Sequence, residues 1–427
     1  MSKILTLGLL GIILLPTLIH AQSLAEEREL HQQILKNLEK DVSENYYDPK
    51  LKGIDLDASL KKASEFVAAA RSVEEMTDIV ARVLMQFDDS HLIFAPPERT
   101  VSVKYGWHIQ MIGDKAFVTD VADDSDAKKK GIRPGDQVYM FEGFLPTRNE
   151  FQLLTYHYEV LAPQPRITAV IIKPDGRKYK VEIEAKVERE SVFRPTTRDL
   201  NLRFESEFLK RTHQEFYDEM EGLSIWKIPT FEFSDIKVHK MMDRVKKASA
   251  LVLDLRGNEG GLVYSLEELI AAFFEKDITI GKVHYRKETF SNVLKGDGKR
   301  AYAGKLVVLI DSESASAAEI FARVVQLEKR GIVVGDHSSG QVMQARLFSH
   351  FYGLDDRIGY GFSITVADLE MKDGGRLEKV GVVPDEVILP SAKDLAMGFD
   401  PALSRAVELL GFQLSPEAAG KIFEKKK

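Results

Sequence analysis

Near the start of the chain, apolar side chains recur every three to four positions in two stretches. These are Ile34, Leu38 and Val42, then Ile79, Val80, Val83 and Leu84, and the spacing places each set on one stripe of a helix. Between them, Tyr47-Asp-Pro-Lys and Gly53-Ile-Asp-Leu-Asp read as a turn feeding a new helix start. A helical segment is therefore expected over residues 24–86. It closes at Asp88-Asp-Ser-His-Leu-Ile-Phe-Ala-Pro-Pro97, where a polar turn meets an apolar strand and two prolines end it. From 101 to 188 the texture becomes short strands, with Phe117–Val121, Val138–Phe141 and Ala169–Ile172 as candidates and Gly131-Ile-Arg-Pro-Gly-Asp136 as a tight turn. From 191 to 423 the reading is α/β. The runs Leu251–Leu255, Leu306–Ile310 and Gly331–Gly335 are largely apolar, as strands covered on both faces should be, and the first two are followed by a turn and a helix-like stretch.

Ahead of all this stand Lys3, an apolar run from Ile4 to Ile19, and a small residue, Ala21. The pattern predicts a secretory leader over residues 1–21, with a retained N-terminal anchor as the alternative. The expected location is periplasmic or secreted, with no membrane-spanning segment after the leader. A 427-residue chain is long for one domain, and 44% hydrophobic with 29% charged residues is an ordinary globular balance. The net charge of -7 gives no electrostatic footprint for nucleic acid. The count of zero cysteines excludes thiol catalysis, disulfides, cysteine-ligated zinc and a lipoprotein anchor. No His-Glu-x-x-His, acidic calcium loop or phosphate-cradling Gly-Lys-Ser/Thr occurs, so neither a metal nor a cofactor is implied.

Three motifs carry candidate chemistry. Asp254-Leu-Arg-Gly-Asn-Glu-Gly-Gly261 ends an apolar strand in a glycine turn, which can bring bare N–H groups close to a ligand or simply serve packing. Asp311-Ser-Glu-Ser-Ala-Ser-Ala-Ala-Glu-Ile-Phe321 places Ser316 at a helix N-terminus, where unpaired N–H groups and the helix dipole favour a developing oxyanion. Ser316-Ala-Ala-Glu319 equally fits a capping box, which does no chemistry. Gly374-Gly-Arg-Leu-Glu-Lys-Val-Gly-Val-Val-Pro-Asp385 reads as a turn, a strand bearing the Glu378 carboxylate, and a second turn.

Taken in order, with Val333-Val-Gly335 as a fourth, these motifs resemble the C-terminal processing (tail-specific) and tricorn-core peptidase family, and the resemblance extends to Tyr47-Asp-Pro and Asp-Ser-His91. It implies a crotonase-like spiral α/β core over 189–423, an N-terminal helical segment over 22–98 and an inserted PDZ-like β-rich domain over 99–188. The segment Ala116 to Val138 is similar to the PDZ strand, short helix and turn, although Asp126 and Lys130 replace the small or proline residues usual there. Tyr105, Gly106 and Trp107 fall where PDZ domains hold a peptide's terminal carboxylate, with Trp107 as an ordinary core residue the alternative.

The same resemblance makes Ser316 the nucleophile, and the N–H groups of Gly261 and Ala317 the oxyanion hole. Tail-specific members carry a lysine base just after Val-Val-Gly. Here the chain reads Gly335-Asp-His-Ser-Ser-Gly-Gln341, and an amide cannot take a serine proton. The tricorn-like branch uses a histidine oriented by a glutamate, for which His91 and Glu378 are the matches. His337 is a competing base. The implied activity is a serine endopeptidase acting through an acyl-enzyme on unfolded or C-terminally exposed polypeptide. A peptide-binding pseudo-peptidase and an apolar-ligand carrier on the same fold are the rivals.

Overall fold

The computed structural model describes residues 14–97, 101–189, 215–353 and 358–423. Lys3, the apolar run as far as Ile13, residues 190–214 and the closing lysines fall outside them. The chain divides into two compact units. One comprises Met1–Arg99, Tyr156–Pro163 and Ala345–Ala367, and the other Thr100–Thr155, Gln164–Gln344 and Asp368–Lys427.

The first unit is built on three helices, Leu14–Asn45, Leu56–Ala69 and Val73–Met85. The first runs through the expected cleavage point after Ala21. Asp55 and Ser72 cap the second and third by accepting the N–H groups of Ala58 and Glu75, which explains why the helices begin there. Ile34, Leu38 and Val42 face Val67, Val80 and Leu84 in one buried cluster, so the three-to-four spacing does mark the core stripe. The strand Ile93–Ala95 pairs antiparallel with residues 361–363, and Phe94 stacks on Phe362 with ring centroids 5.5 Å apart. Among the described residues no helix is long and apolar enough to cross a membrane.

The second unit contains an antiparallel five-stranded sheet in simple meander order, formed by Trp107–Ile112, Lys115–Val121, Gln137–Phe141, Arg166–Ile172 and Lys178–Glu184. It also contains a six-stranded sheet. There Leu223–Lys227, Ala250–Asp254, Lys305–Ile310, Ile332–Gly335 and Glu386–Val387 are parallel neighbours, and Glu215–Tyr217 closes one edge antiparallel. Alternation by two explains the apolar runs. Leu251, Leu253, Leu306 and Val308 pack with Val238, Leu266, Leu269 and Phe321, side chains of three helices on one face. Val252, Val307 and Leu309 pack with Leu403, Ala406 and Val407 of the helix Pro401–Leu409 on the other.

Because Ala250–Asp254 and Lys305–Ile310 are adjacent and parallel, the turns after them emerge side by side at the carboxyl edge of the sheet. In open α/β sheets, that edge is where ligand sites form. The glycine motif and the serine motif are those two turns. Glu378 departs from its expected setting. It lies in a turn, not on a strand, because Lys379 takes φ 62° and Gly381 φ 71°, which break the extended backbone a strand would need.

Candidate active site

The loop after Lys305–Ile310 carries three serines, and their surroundings separate them. The Ser312 hydroxyl donates to the Met111 carbonyl at 2.5 Å, and that of Ser314, fully buried, donates to the Leu255 carbonyl at 2.8 Å. Ser316 alone within 314–319 is partly exposed. Its backbone is unusual, with φ 53° and ψ -114°, a region that side chains enter only under constraint. That positive φ, on the loop between the strand ending at Ile310 and the helix starting at Ala317, sets Ser316 apart from the two serines before it. The helix Ala317–Leu327 begins at the next residue.

The turn is held by what surrounds it. Asn258, buried, donates its amide to the Ile228 carbonyl and accepts the Gly260 N–H, while its own carbonyl accepts the Ala315 N–H at 2.9 Å. Gly260 has φ 100°, and a Cβ there would stand 2.7 Å from the Ser316 Cβ and 3.1 Å from the Ala317 nitrogen. That position must be glycine for the two turns to meet. The Gly260–Gly261 peptide and the Ser316–Ala317 peptide are thus neighbours. Gly261, with φ 145°, is itself pressed against Phe231, where a Cβ would approach the Phe231 carbonyl carbon to 2.7 Å.

The carboxylate of Glu319 is the hub of this region. It accepts the Ser316 N–H at 3.0 Å and the Gln341 N–H at 2.9 Å on one oxygen, and the Ser338 hydroxyl at 2.5 Å and the Gly340 N–H at 2.8 Å on the other. Burial pushes its carboxyl up to about 7, against four donors that pull it down. The capping-box pattern expected from Ser316-Ala-Ala-Glu319 is therefore present, with Glu319 taking the Ser316 N–H. Ser316 itself lacks the extended backbone of an ordinary N-cap.

Gln341 stands in the strap that follows Ile332–Gly335. Its carbonyl also accepts the Ser316 N–H at 2.9 Å, and its side-chain amide donates to Gln152. Glu378 accepts the Val342 N–H at 2.9 Å. His337 binds Asp336 through its own N–H at 2.7 Å, and its carbonyl is held by Arg148. Ser316, Ala317, Gly261, Glu378 and His337 all belong to the second unit.

His91 belongs to the first. Its Nδ1 lies 2.8 Å from the Ser90 hydroxyl, and its main-chain N–H donates to Asp89 at 3.0 Å. Asp89, nearly buried, also accepts the hydroxyls of Tyr46 at 2.9 Å and Thr365 at 2.7 Å. Burial, with Asp89 as its acceptor, drives the Tyr46 phenol far above its ordinary range, so that hydroxyl is a permanent donor. The Asp-Ser-His turn is thus tied at its backbone to a buried acid. Ser90, Asp89 and Asn258 were not among the side chains singled out from the sequence, although all three flank or lie inside its motifs.

Tyr105 is buried, and its hydroxyl bonds the main chain of Gln164. Gly106 has φ 72° and packs against Ser125, where a Cβ would approach the Ser125 Cβ to 2.2 Å. Trp107 is half-buried and lies 6.5 Å, ring to ring, from Phe141. At the carboxyl ends of the parallel strands, Arg256 forks between Asp254 and Asp400, which fixes the Asp-Leu-Arg motif as a structural clamp. A cavity of about 490 Å³ nearby is lined by His108, Lys227, Asp311 and Phe399 but not by Ser316. Among the described residues no group of three or more His, Asp or Glu is arranged to hold a metal.

Residues 223–388 match the model of peptidase family S41, and residues 28–85 match the Tricorn protease C1 domain. The second unit thus carries a peptidase family S41 domain over residues 223–388. The similar proteins are named processing proteases. It is 30% identical over 220 residues to the tail-specific protease of Haemophilus influenzae, covering 49% of this chain and 30% of that protein. It is 26% identical to a carboxyl-terminal-processing protease of Picosynechococcus sp., covering 74% of this chain and 73% of that one. With the carboxy-terminal processing protease CtpA of Bacillus subtilis it shares 24% identity, over 71% of this chain and 61% of the relative. The fold is similar to that of mature CPAF, with TM-score 0.65 at 16% identity, covering 87% of this chain and 94% of that one.

Proposed function

We propose that the protein is an exported serine endopeptidase that cleaves unfolded or C-terminally exposed segments of other polypeptides. The observation that carries this is Ser316: one partly exposed serine, at φ 53° and ψ -114°, on a strand-to-helix turn packed against a double glycine. In the proposed reaction Ser316 Oγ attacks the scissile carbonyl carbon while His91 takes the hydroxyl proton. The carbonyl oxygen becomes an oxyanion facing the N–H groups of Gly261 and Ala317. Collapse of the tetrahedral species breaks the C–N bond, and His91 returns the proton to the leaving amine. Water then attacks the acyl-enzyme by the same relay, releasing the acid and restoring Ser316. Glu378 orients the base, and the Ser90 hydroxyl, next to Nδ1 of His91, supports the same orientation. The core is of the crotonase-like spiral type, and the five-stranded antiparallel sheet is a PDZ-like domain in which Tyr105, Gly106 and Trp107 border the peptide site.

Labelling with a fluorophosphonate tests this directly. The probe should modify Ser316, with His91→Ala abolishing the reaction and an unstructured polypeptide competing with it. A folded wild-type protein that resists the probe and cleaves no unfolded substrate would instead be a binder on a peptidase fold.

A further inference from the structure

Four segments meet around Glu319: the Ser316 turn, the strap at 338–342, the turn that follows Glu378, and the helix that bears Glu319 itself. The carboxylate is completely buried, and each of its oxygens accepts two donors. Ser338 extends the reach, since its hydroxyl, while donating to Glu319, accepts the Val382 N–H at 2.6 Å. The Lys379 N–H in turn donates to the Gly340 carbonyl at 2.7 Å. A carboxylate has acceptor sites and no donors, so it suits a place where three N–H groups and one hydroxyl converge.

We infer that Glu319 is a positioning residue, whose carboxylate holds the Ser316 turn in its strained backbone and ties it to the 338–342 strap. Strained backbone of this kind persists only where its surroundings over-determine it. The Ser316 N–H is gripped twice, by Glu319 and by the Gln341 carbonyl, and Gln341 is itself gripped by Glu319. Removing the carboxylate releases both grips together. An amide in its place would turn two hydrogens toward incoming donors, so Glu319→Gln is a sharp disruption despite its shape.

The inference rests on the reading of Ser316 as the nucleophile only for its effect on rate; its effect on the backbone is independent. Hydrogen exchange on the full chain, wild type against Glu319→Gln, reads the backbone. Exchange at the Ser316 amide and across 338–342 should quicken about tenfold or more, while the strand 305–310 keeps its protection. In the activity arm, the Gln variant should lose about 100-fold in kcat with KM within about threefold, and Glu319→Asp should recover part of it. A variant with wild-type exchange at Ser316 and wild-type kcat, whatever its melting temperature, would overturn the inference. Quickened exchange in the variant, with a wild type that no fluorophosphonate labels, would leave the positioning role standing and remove the nucleophile reading instead. Should the Gln variant fail to fold, Glu319→Asp carries both measurements, since it keeps the charge and withdraws it by one methylene.

Discussion

The Asp89 carboxylate accepts the main-chain N–H of His91 at 3.0 Å and the hydroxyl of Tyr46 at 2.9 Å. The histidine proposed as base is thereby fixed at its backbone by a buried acid two residues upstream. Asp89→Asn keeps the size but puts an NH2 in place of one acceptor oxygen, opposite one or two of the three donors, so it should destabilise the fold by about 1–3 kcal/mol. Peptide cleavage should fall about 10- to 100-fold through misplacement of the base. Tyr46→Phe removes one donor and should cost about 1 kcal/mol with near-normal kcat. Denaturant melts and initial rates on the same preparations check both.

The identity of the base follows from pH. A histidine titrates near roughly 6.5 without special tuning, so activity on an unstructured peptide should rise through about pH 6–7 and then level. His91→Ala should remove that limb and match the loss in Ser316→Ala, because members of one relay fail together. Glu378→Gln should lose less, and His337→Ala little. Full activity in His91→Ala, with loss in His337→Ala, would move the base into the strap.

Glu319 gives stability a pH dependence of definite sign. Its carboxyl is raised in the folded protein from an ordinary 4.5 to about 7. The folded state therefore holds the proton more tightly, and the stability this contributes is complete below about 4.5 and lost as the pH rises through about 7. The displacement corresponds to roughly 3 kcal/mol. The wild type should thus gain on Glu319→Gln by that order between pH 7.5 and pH 5. Parallel stability curves for the two proteins would count against it.

Two glycines in one motif should respond differently to alanine. At Gly260 the new Cβ meets Ser316 at 2.7 Å with φ 100°, whereas at Gly257, with φ 70°, its nearest neighbour is Glu313 at 3.9 Å. Gly257→Ala should cost about 1 kcal/mol from backbone alone. Gly260→Ala should in addition slow fluorophosphonate labelling by about 100-fold, since the serine turn must shift.

If Tyr105, Gly106 and Trp107 border a carboxylate site, peptides with a free apolar C-terminus should bind better than their amidated forms, because the amide removes the charge that N–H groups would hold. Equal affinities by calorimetry would leave that sheet a structural module.

Much of the scaffold was legible because it obeys a period. The strands Ala250–Asp254 and Lys305–Ile310 read as continuous apolar runs because helices cover both faces, and the first-unit helices read from their three-to-four stripe. Ser316 was legible as a helix-start serine, but its spacing to Glu319 could not distinguish a cap from a strained turn. That difference lies in the sign of φ, which the identity of a serine does not reveal. Glu378 was expected on a strand, while the left-handed Lys379 beside it has no signature in the sequence. The four donors on Glu319 come from residues up to 22 positions away, brought together only by the sheet. Likewise the first unit gathers 345–367 to a helical segment far earlier in the chain, beyond any local pattern.

Gln341 enters the serine turn through its main chain, accepting at its carbonyl and donating at its N–H, while its side chain reaches Gln152. Both bonds to the serine turn belong to the main chain of Gln341, so a different side chain at this position leaves them in place and costs only the reach to Gln152.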